Sequence, residues 1–354
     1  MKRDNMQEKD LLSAPLPHRE GQEVGLLLIF FNRPDRFGEV FEEVRKARPE
    51  RLFLYQDGPR SERDLPGIEA CRRIAENIDW PCRVERLYQE RNYGCDPSEF
   101  IAQKWAFSFV DRCIVLEDDD VPSQSFFPFC EELLERYADD ERVTMIAGFN
   151  SDEVTPDVAA DYFFTTVFSI WGWASWRRVV DQWDEHYTWL DNPDIVGRMQ
   201  QLIDERKLRS DFLQMCRDHR ASGKAYYETI FWSHMLISGG MAIMPTRNQI
   251  NNRGITADST HYSGSLATTP RRLRRQFTMQ RFELDFPLRH PAEMVENTAF
   301  KERVYKRNAW DHPWIKIQYS LEELWLNLRH GNFGSIAKAI RKRIAKWTGA
   351  HKHQ

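Results

Sequence analysis

The feature that most restricts this chain is a series of short, unbroken apolar runs separated by helix-length amphipathic stretches. LLLIFF (26–31) is too short for a helix and lacks the alternation of a half-buried strand, so it fits a strand covered on both faces. RLFLYQ (51–56), RVERLY (83–88) and CIVLE (113–117) continue the series. After the first run, Pro34 supplies a favourable first helical residue, and Phe37, Val40, Phe41 and Val44 recur at helical spacing. Further helices are expected over 68–78 and 98–110. Strands alternating with helices in this way predict an α/β fold with a mostly parallel sheet and helices on both faces. Ligands of such sheets sit outside the carboxyl ends of the strands. The residues there are Asn32-Arg33-Pro34, Asp57-Gly58-Pro59, Arg91-Asn92-Tyr93-Gly94 and Glu117-Asp118-Asp119-Asp120.

Fifty Lys and Arg against fifty-four Asp and Glu give a net charge of −4, which lacks the surplus that nucleic-acid binding requires. At 41% apolar residues the 354-residue chain can bury a substantial core, and at roughly 150 residues per domain it fits one large or two fused domains. Six cysteines show no CxxC pair or metal-finger spacing, and no signal peptide or long apolar stretch precedes them, so reduced thiols in a cytoplasmic protein are expected. Residues 1–24 are charged and contain two prolines, as in a loose leader. From Phe163 the pattern shifts to aromatic-rich segments and longer helices, suited to covering the crevice and adding a second substrate surface.

Four carboxylates directly after CIVL are unusual, because successive residues leaving a strand diverge and alternate ones converge on one side. Clustered acids require a cation, and oxygen donors without neighbouring His or Cys suit Mg2+ or Mn2+ bridging a diphosphate better than Zn2+. The alternative is a solvated turn capping a helix that begins near Ser125.

VLEDDDVPSQSFFPFCEELLERY (115–137), RNYGCDPSEFIAQKWAF (91–107) before it and SIWGWASWRR (169–178) after it resemble the bacterial family of nucleotide-diphospho-sugar transferases with the glycosyltransferase A fold. A more distant similarity links the stretch to the N-acetylglucosaminyltransferase I family, whose acidic motif is Glu-Asp-Asp. The resemblance implies a catalytic domain over 25–265, divided into a nucleotide-sugar half (25–150) and an acceptor half with a lid (151–265), then an extension over 266–354. It implies Asp119 as metal ligand, Glu117 near the donor ribose, Asp118 near the donor sugar, and Asn32 and Arg33 beside the donor. Asp120 exceeds the family pattern. Asp57 matches a position that accepts a hydrogen bond from the nucleobase, although an Asp-Gly-Pro turn alone reads as structural.

In SIWGWASWRR the glycine and the missing helical period suggest a loop lining a pocket, with Trp173 facing a sugar; tryptophan is equally a core residue. An inverting transferase needs a carboxylate to take the proton of the attacking hydroxyl. Glu228, among aromatics at an expected helix start, matches the family position for that base, where Asp is usual. PTRNQINNRGITADSTHYSG (245–264) is long and polar and suits a mobile lid, and the resemblance places its His261 near the donor diphosphate. Beyond Glu323 the chain has no acid, and Ile336, Ile340, Ile344 and Trp347 form a stripe among Lys338, Arg341, Lys342, Arg343 and Lys346. That pattern suits a helix on an anionic membrane, a basic helix docked on the acidic body, or a subunit contact.

These features together imply a metal-dependent glycosyltransferase, inverting, that moves a hexosyl or N-acetylhexosaminyl unit from a nucleotide-diphosphate sugar to a glycan or lipid-linked glycan in the cytoplasm or at its membrane face. The rivals are a metal-dependent nucleotidyltransferase or phosphohydrolase, disfavoured by the lack of a Gly-rich phosphate loop, and a catalytically silent glycan-binding relative.

Overall fold

The computed structural model describes residues 23–254, 266–337 and 340–341. Residues 1–22 of the expected leader, His261, and most of the basic stripe beyond Ile336 lie outside the described residues, and Val24, expected at the end of the leader, already belongs to the first strand.

The unbroken apolar runs do form buried strands. β1 (Val24–Phe30), β2 (Arg51–Gln56), β3 (Arg83–Tyr88) and β4 (Arg112–Glu117) pair in parallel in the order β3-β2-β1-β4. β2 is buried along its whole length, whereas β3, at the sheet edge, mixes charged and apolar residues and is partly exposed. The connecting helices are α1 (Pro34–Ala47), α2 (Leu65–Ala75) and α3 (Cys95–Phe107), two of them beginning about three residues earlier than the periodicity predicts. In α1, Phe37, Val40, Phe41 and Val44 are the buried face, as their spacing requires. The helix ends at Arg48 in the left-handed region.

The strand order reverses between β1 and β4, because β2 lies on one side of β1 and β4 on the other. This switch point opens a crevice at the carboxyl ends of the two strands. After β4 the chain makes β5 (Asp120–Pro122), α4 (Phe126–Arg136) and β6 (Val143–Ala147). β7 (Tyr162–Thr165), β8 (Trp173–Trp176) and, further on, β9 (Met241–Pro245) then complete a mixed eight-stranded sheet, β3-β2-β1-β4-β8-β6-β9-β7. The two expected halves of the catalytic region therefore share one continuous sheet. The helices of the second half are α5 (Arg177–Val180), α6 (Pro193–Leu202), α7 (Arg206–Ser222) and α8 (Tyr227–Ser238). β10 (Ile250–Asn252) pairs antiparallel with β5. The remaining helices are α9 (Arg271–Arg275), α10 (Thr298–Arg307) and α11 (Pro313–Arg329). Residues 277–305 are not a mere appendage: Met279, Leu284, Leu288 and Phe300 join the core, and Phe300 packs edge-on against Phe163 at 4.9 Å.

Two expectations fail here. SIWGWASWRR is a loop only as far as Gly172; Trp173–Trp176 are β8, inserted antiparallel between β4 and β6, and Arg177 and Arg178 begin α5. Trp173 is 1% exposed and packs on Phe107, Tyr227 and Phe231, so it is a core residue and not part of a sugar pocket. Trp173→Ala is expected to cost about 3–5 kcal/mol of stability, as for other large core truncations. Trp171→Ala, in the half-buried loop, should cost less than half as much by urea denaturation.

The second failure concerns the first half of 245–264, expected to be a mobile lid; 255–264 lie outside the described residues. Asn248, Gln249 and Asn252 are buried, and each is hydrogen-bonded to backbone or side-chain groups inside the protein. Gln249 accepts from the hydroxyls of Ser123 (2.8 Å) and Ser125 (2.7 Å) and donates to the Phe282 carbonyl. Polar side chains here satisfy buried partners, which gives them a structural use that polarity alone does not reveal.

Candidate active site

Arg33 follows β1 and the acidic turn follows β4, so neighbouring strand ends bring them together. The Arg33 guanidinium is bonded to Asp118 through two nitrogens and lies 2.8 Å from Asp119 Oδ2. The Phe31 N–H also donates to Asp118. Asp119 Oδ1 and Asp120 Oδ1 both accept from Asn252 Nδ2, at 3.0 and 3.1 Å. Consecutive carboxylates thus converge, 118 with 119 and 119 with 120, where alternation along an extended strand would pair every second one. The reason is that the chain turns at 118–119 before resuming as β5. Nor is the turn solvated, because Asp118, Asp119 and Asp120 are all buried.

Burial raises the proton affinity of three acids of this turn, Glu117, Asp118 and Asp120. Asp118 is pushed up to about 6, chiefly by burial and further by Asp119, with Arg33 opposing. Burial also holds Glu117 and Asp120 above the ordinary carboxylate range, with neighbouring acids adding to the effect. Arg33 loses hydration on burial, yet the two aspartates outweigh that and hold its proton more firmly than usual. Asp120, the acid in excess of the family pattern, has a structural task. Its Oδ2 accepts the Gly172 N–H at 2.9 Å, tying the acidic turn to the loop before β8. Gly172 has φ of +61°, and a Cβ there would lie 2.5 Å from Ile250, so this connection requires glycine.

The crevice deepens into a cavity of about 470 Å³. Arg33, Glu117 and Asp119 line one side; Glu228 and Thr229, from the first turn of α8, line another. Trp171, Phe168 and Phe277 supply apolar wall, with Trp171 and Phe277 rings 5.0 Å apart. The tryptophan of this segment that lines the cavity is Trp171, two residues before the one the sequence suggests. Glu99 of α3, which sequence reasoning missed, also lines the cavity. It is 5% exposed; one carboxylate oxygen lies 3.1 Å from Cys95 Sγ and the other has no hydrogen-bond partner among the described residues. Burial, then the charge of Glu228, raise its proton affinity well above normal. Asn252 was missed as well. No local pattern marks either residue, since a carboxylate inside a helix and an asparagine in a polar stretch are both commonplace.

The remaining candidates lie at the margin. Asn32 donates to Asp64 at 2.7 Å, and neither it nor Asp57 borders the cavity. Both oxygens of Asp57 are engaged, by the N–H groups of Gly58 (2.9 Å), Tyr93 (2.9 Å) and Gly94 (3.0 Å) and by Asn92 Nδ2 (2.7 Å). This is the turn role of the Asp-Gly-Pro segment, clamping it to the 91–94 loop, and a nucleobase would have to share those oxygens.

Whether the acidic turn can hold a divalent ion depends on space and donors. A Cβ at Gly254 would sit 2.5 Å from Asp119 Oδ2, so the glycine leaves room in front of that oxygen. Among the described residues no group of three His, Cys, Asp or Glu side chains is arranged to enclose a metal. The donor set fits an ion held by one or two carboxylates and completed by substrate phosphates, as Mg2+ usually is.

α8 carries its own titratable group. His234 is pushed down to about 4 by burial and by the Arg178 guanidinium. A lowered histidine favours the folded state above its unfolded value near 6.5, and that contribution is lost as pH falls toward 4. Between pH 7 and 5 this group alone should cost about 2 kcal/mol, a loss that His234→Gln removes from the urea-denaturation profile. The sequence matches no known protein-family model, and a search of curated proteins finds no match.

Proposed function

We propose that the protein is a divalent-metal-dependent glycosyltransferase of the glycosyltransferase A fold, moving a sugar from a nucleoside diphosphate to an acceptor hydroxyl with inversion. The observation that carries this reading is the charge of the cavity at the β1/β4 switch point. Among the described residues four carboxyl groups, Glu99, Glu117, Asp119 and Glu228, line it against one guanidinium, Arg33. Crowded carboxyl groups whose proton affinity is raised by burial and by one another stand where a cation would offset their mutual repulsion, and a diphosphate entering among them needs that cation with it. A divalent ion on Asp119, with Asp118 nearby, would neutralise the charge that accumulates on the departing diphosphate.

The chain's own residues perform the rest. Arg33, fixed between Asp118 and Asp119, presents a permanent positive charge where the diphosphate enters. Trp171 and Phe277 offer an apolar surface to a sugar ring. Glu228 accepts the proton of the attacking hydroxyl as its oxygen bonds to the anomeric carbon and the bond to the diphosphate oxygen breaks, the bonding pair leaving with the diphosphate. Enclosure by the second half of the chain limits competing attack by water.

The test is product analysis. Incubation with nucleotide sugars, Mn2+ and candidate acceptors should release nucleoside diphosphate and a glycosylated acceptor. Release of pyrophosphate from nucleoside triphosphates would establish the nucleotidyltransferase instead, and binding without release would establish the silent relative.

A further inference from the structure

Helix α11 buries Leu326 and Asn327, yet another side of it is apolar and open. Trp314 is 77% exposed, Leu321 61% and Trp325 55%, with Ile317, Leu324 and Leu328 also exposed. Positions 314, 317, 321, 324 and 328 advance by three and four, so they form one strip along the helix. A continuous apolar strip of this kind marks a contact surface.

Its surroundings indicate the occupant. Exposed Arg271 and Arg272 of α9 border it, because the Arg271 N–H donates to Glu322 of α11 at 2.9 Å. From Leu324 to Gln354 the chain has seven Lys and Arg and no Asp or Glu, although the whole protein carries −4. Two tryptophans on an apolar strip suit the boundary between water and lipid, and the basic border suits anionic headgroups. A second copy of the chain seated on this strip would bring two sets of Arg271 and Arg272 together, which like-charge repulsion opposes. At 17 residues, with Lys316, Glu322, Glu323 and Arg329 among them, α11 is suited to lying along a bilayer and not to crossing it.

We infer that α11, bordered by α9 and followed in sequence by the basic segment, docks the protein on an anionic lipid surface. The cavity opens beside this face: Phe277 just after α9 and Trp310 just before α11 both line it. Docking therefore brings the cavity rim toward the headgroups, which suits an acceptor carried on a lipid. That last clause rests on the transferase reading; the docking does not.

Co-sedimentation of the full-length protein with phosphatidylcholine vesicles, with and without phosphatidylserine, tests it. Binding should require phosphatidylserine and weaken in high salt. The combined substitution Trp314→Ser, Leu321→Ser and Trp325→Ser, all exposed, should abolish it while leaving the melting temperature and its response to nucleotide sugars unchanged. Arg271→Glu with Arg272→Glu should lower it at least about tenfold, since each basic residue near the surface contributes about fivefold. Equal binding to both vesicle types, or undiminished binding by these variants, would overturn the inference. So would a wild-type dimer that the serine variant dissolves without any vesicle binding.

Discussion

Asp119→Asn is expected to lower sugar transfer by about two to four orders of magnitude and to remove the effect of Mn2+ on donor binding. The substitution is nearly isosteric and keeps an oxygen able to accept from Asn252, so the local packing survives. It removes one of the buried charges that hold Asp120 and Asp118 at raised proton affinity, so the cation-free protein should be no less stable than wild type. Transfer kinetics at saturating Mn2+, with a melting curve on the same sample, check both halves. Alanine would be a poorer probe, because it leaves Arg33 and Asn252 short of a buried partner.

Glu228→Gln should lower turnover by about two to four orders of magnitude with donor affinity nearly unchanged, the signature of a base used only in the chemical step. Near-normal transfer would move the base elsewhere. Asp152, outside the cavity, is engaged by Arg303 and Arg307 and is a poor substitute. Glu99, buried in the same cavity, is the stronger alternative, and Glu99→Gln assayed in parallel separates the two.

The parallel half of the sheet was legible in the sequence because its strands are unbroken apolar runs and its helices carry a clean buried face. The crevice was legible for the same reason, since strand order and strand ends locate Arg33 and the acidic turn together. β8 was not. Its residues 173–176 lie between Gly172 and Arg177, and a four-residue strand gives too little alternation to distinguish it from a pocket loop. The buried polar segment before Gly254 was hidden differently: Asn252 meets Asp119 across 133 residues of chain, a pairing that no local spacing encodes. Asp57 shows the opposite case, in which the local Asp-Gly-Pro signal for a turn describes the observed hydrogen bonds directly.

The central claim is that an acidic cavity at the β1/β4 switch point takes a nucleotide sugar only together with a divalent ion. A thermal-shift series of nucleotide sugars, each with and without Mn2+, measures this directly, because a ligand that binds only the folded state raises the melting temperature. At least one nucleotide sugar should raise the melting temperature in the presence of Mn2+ and leave it unchanged without the ion, and Asp119→Asn should abolish the rise. An equal rise with and without Mn2+, or no rise with any nucleotide sugar, would contradict the account.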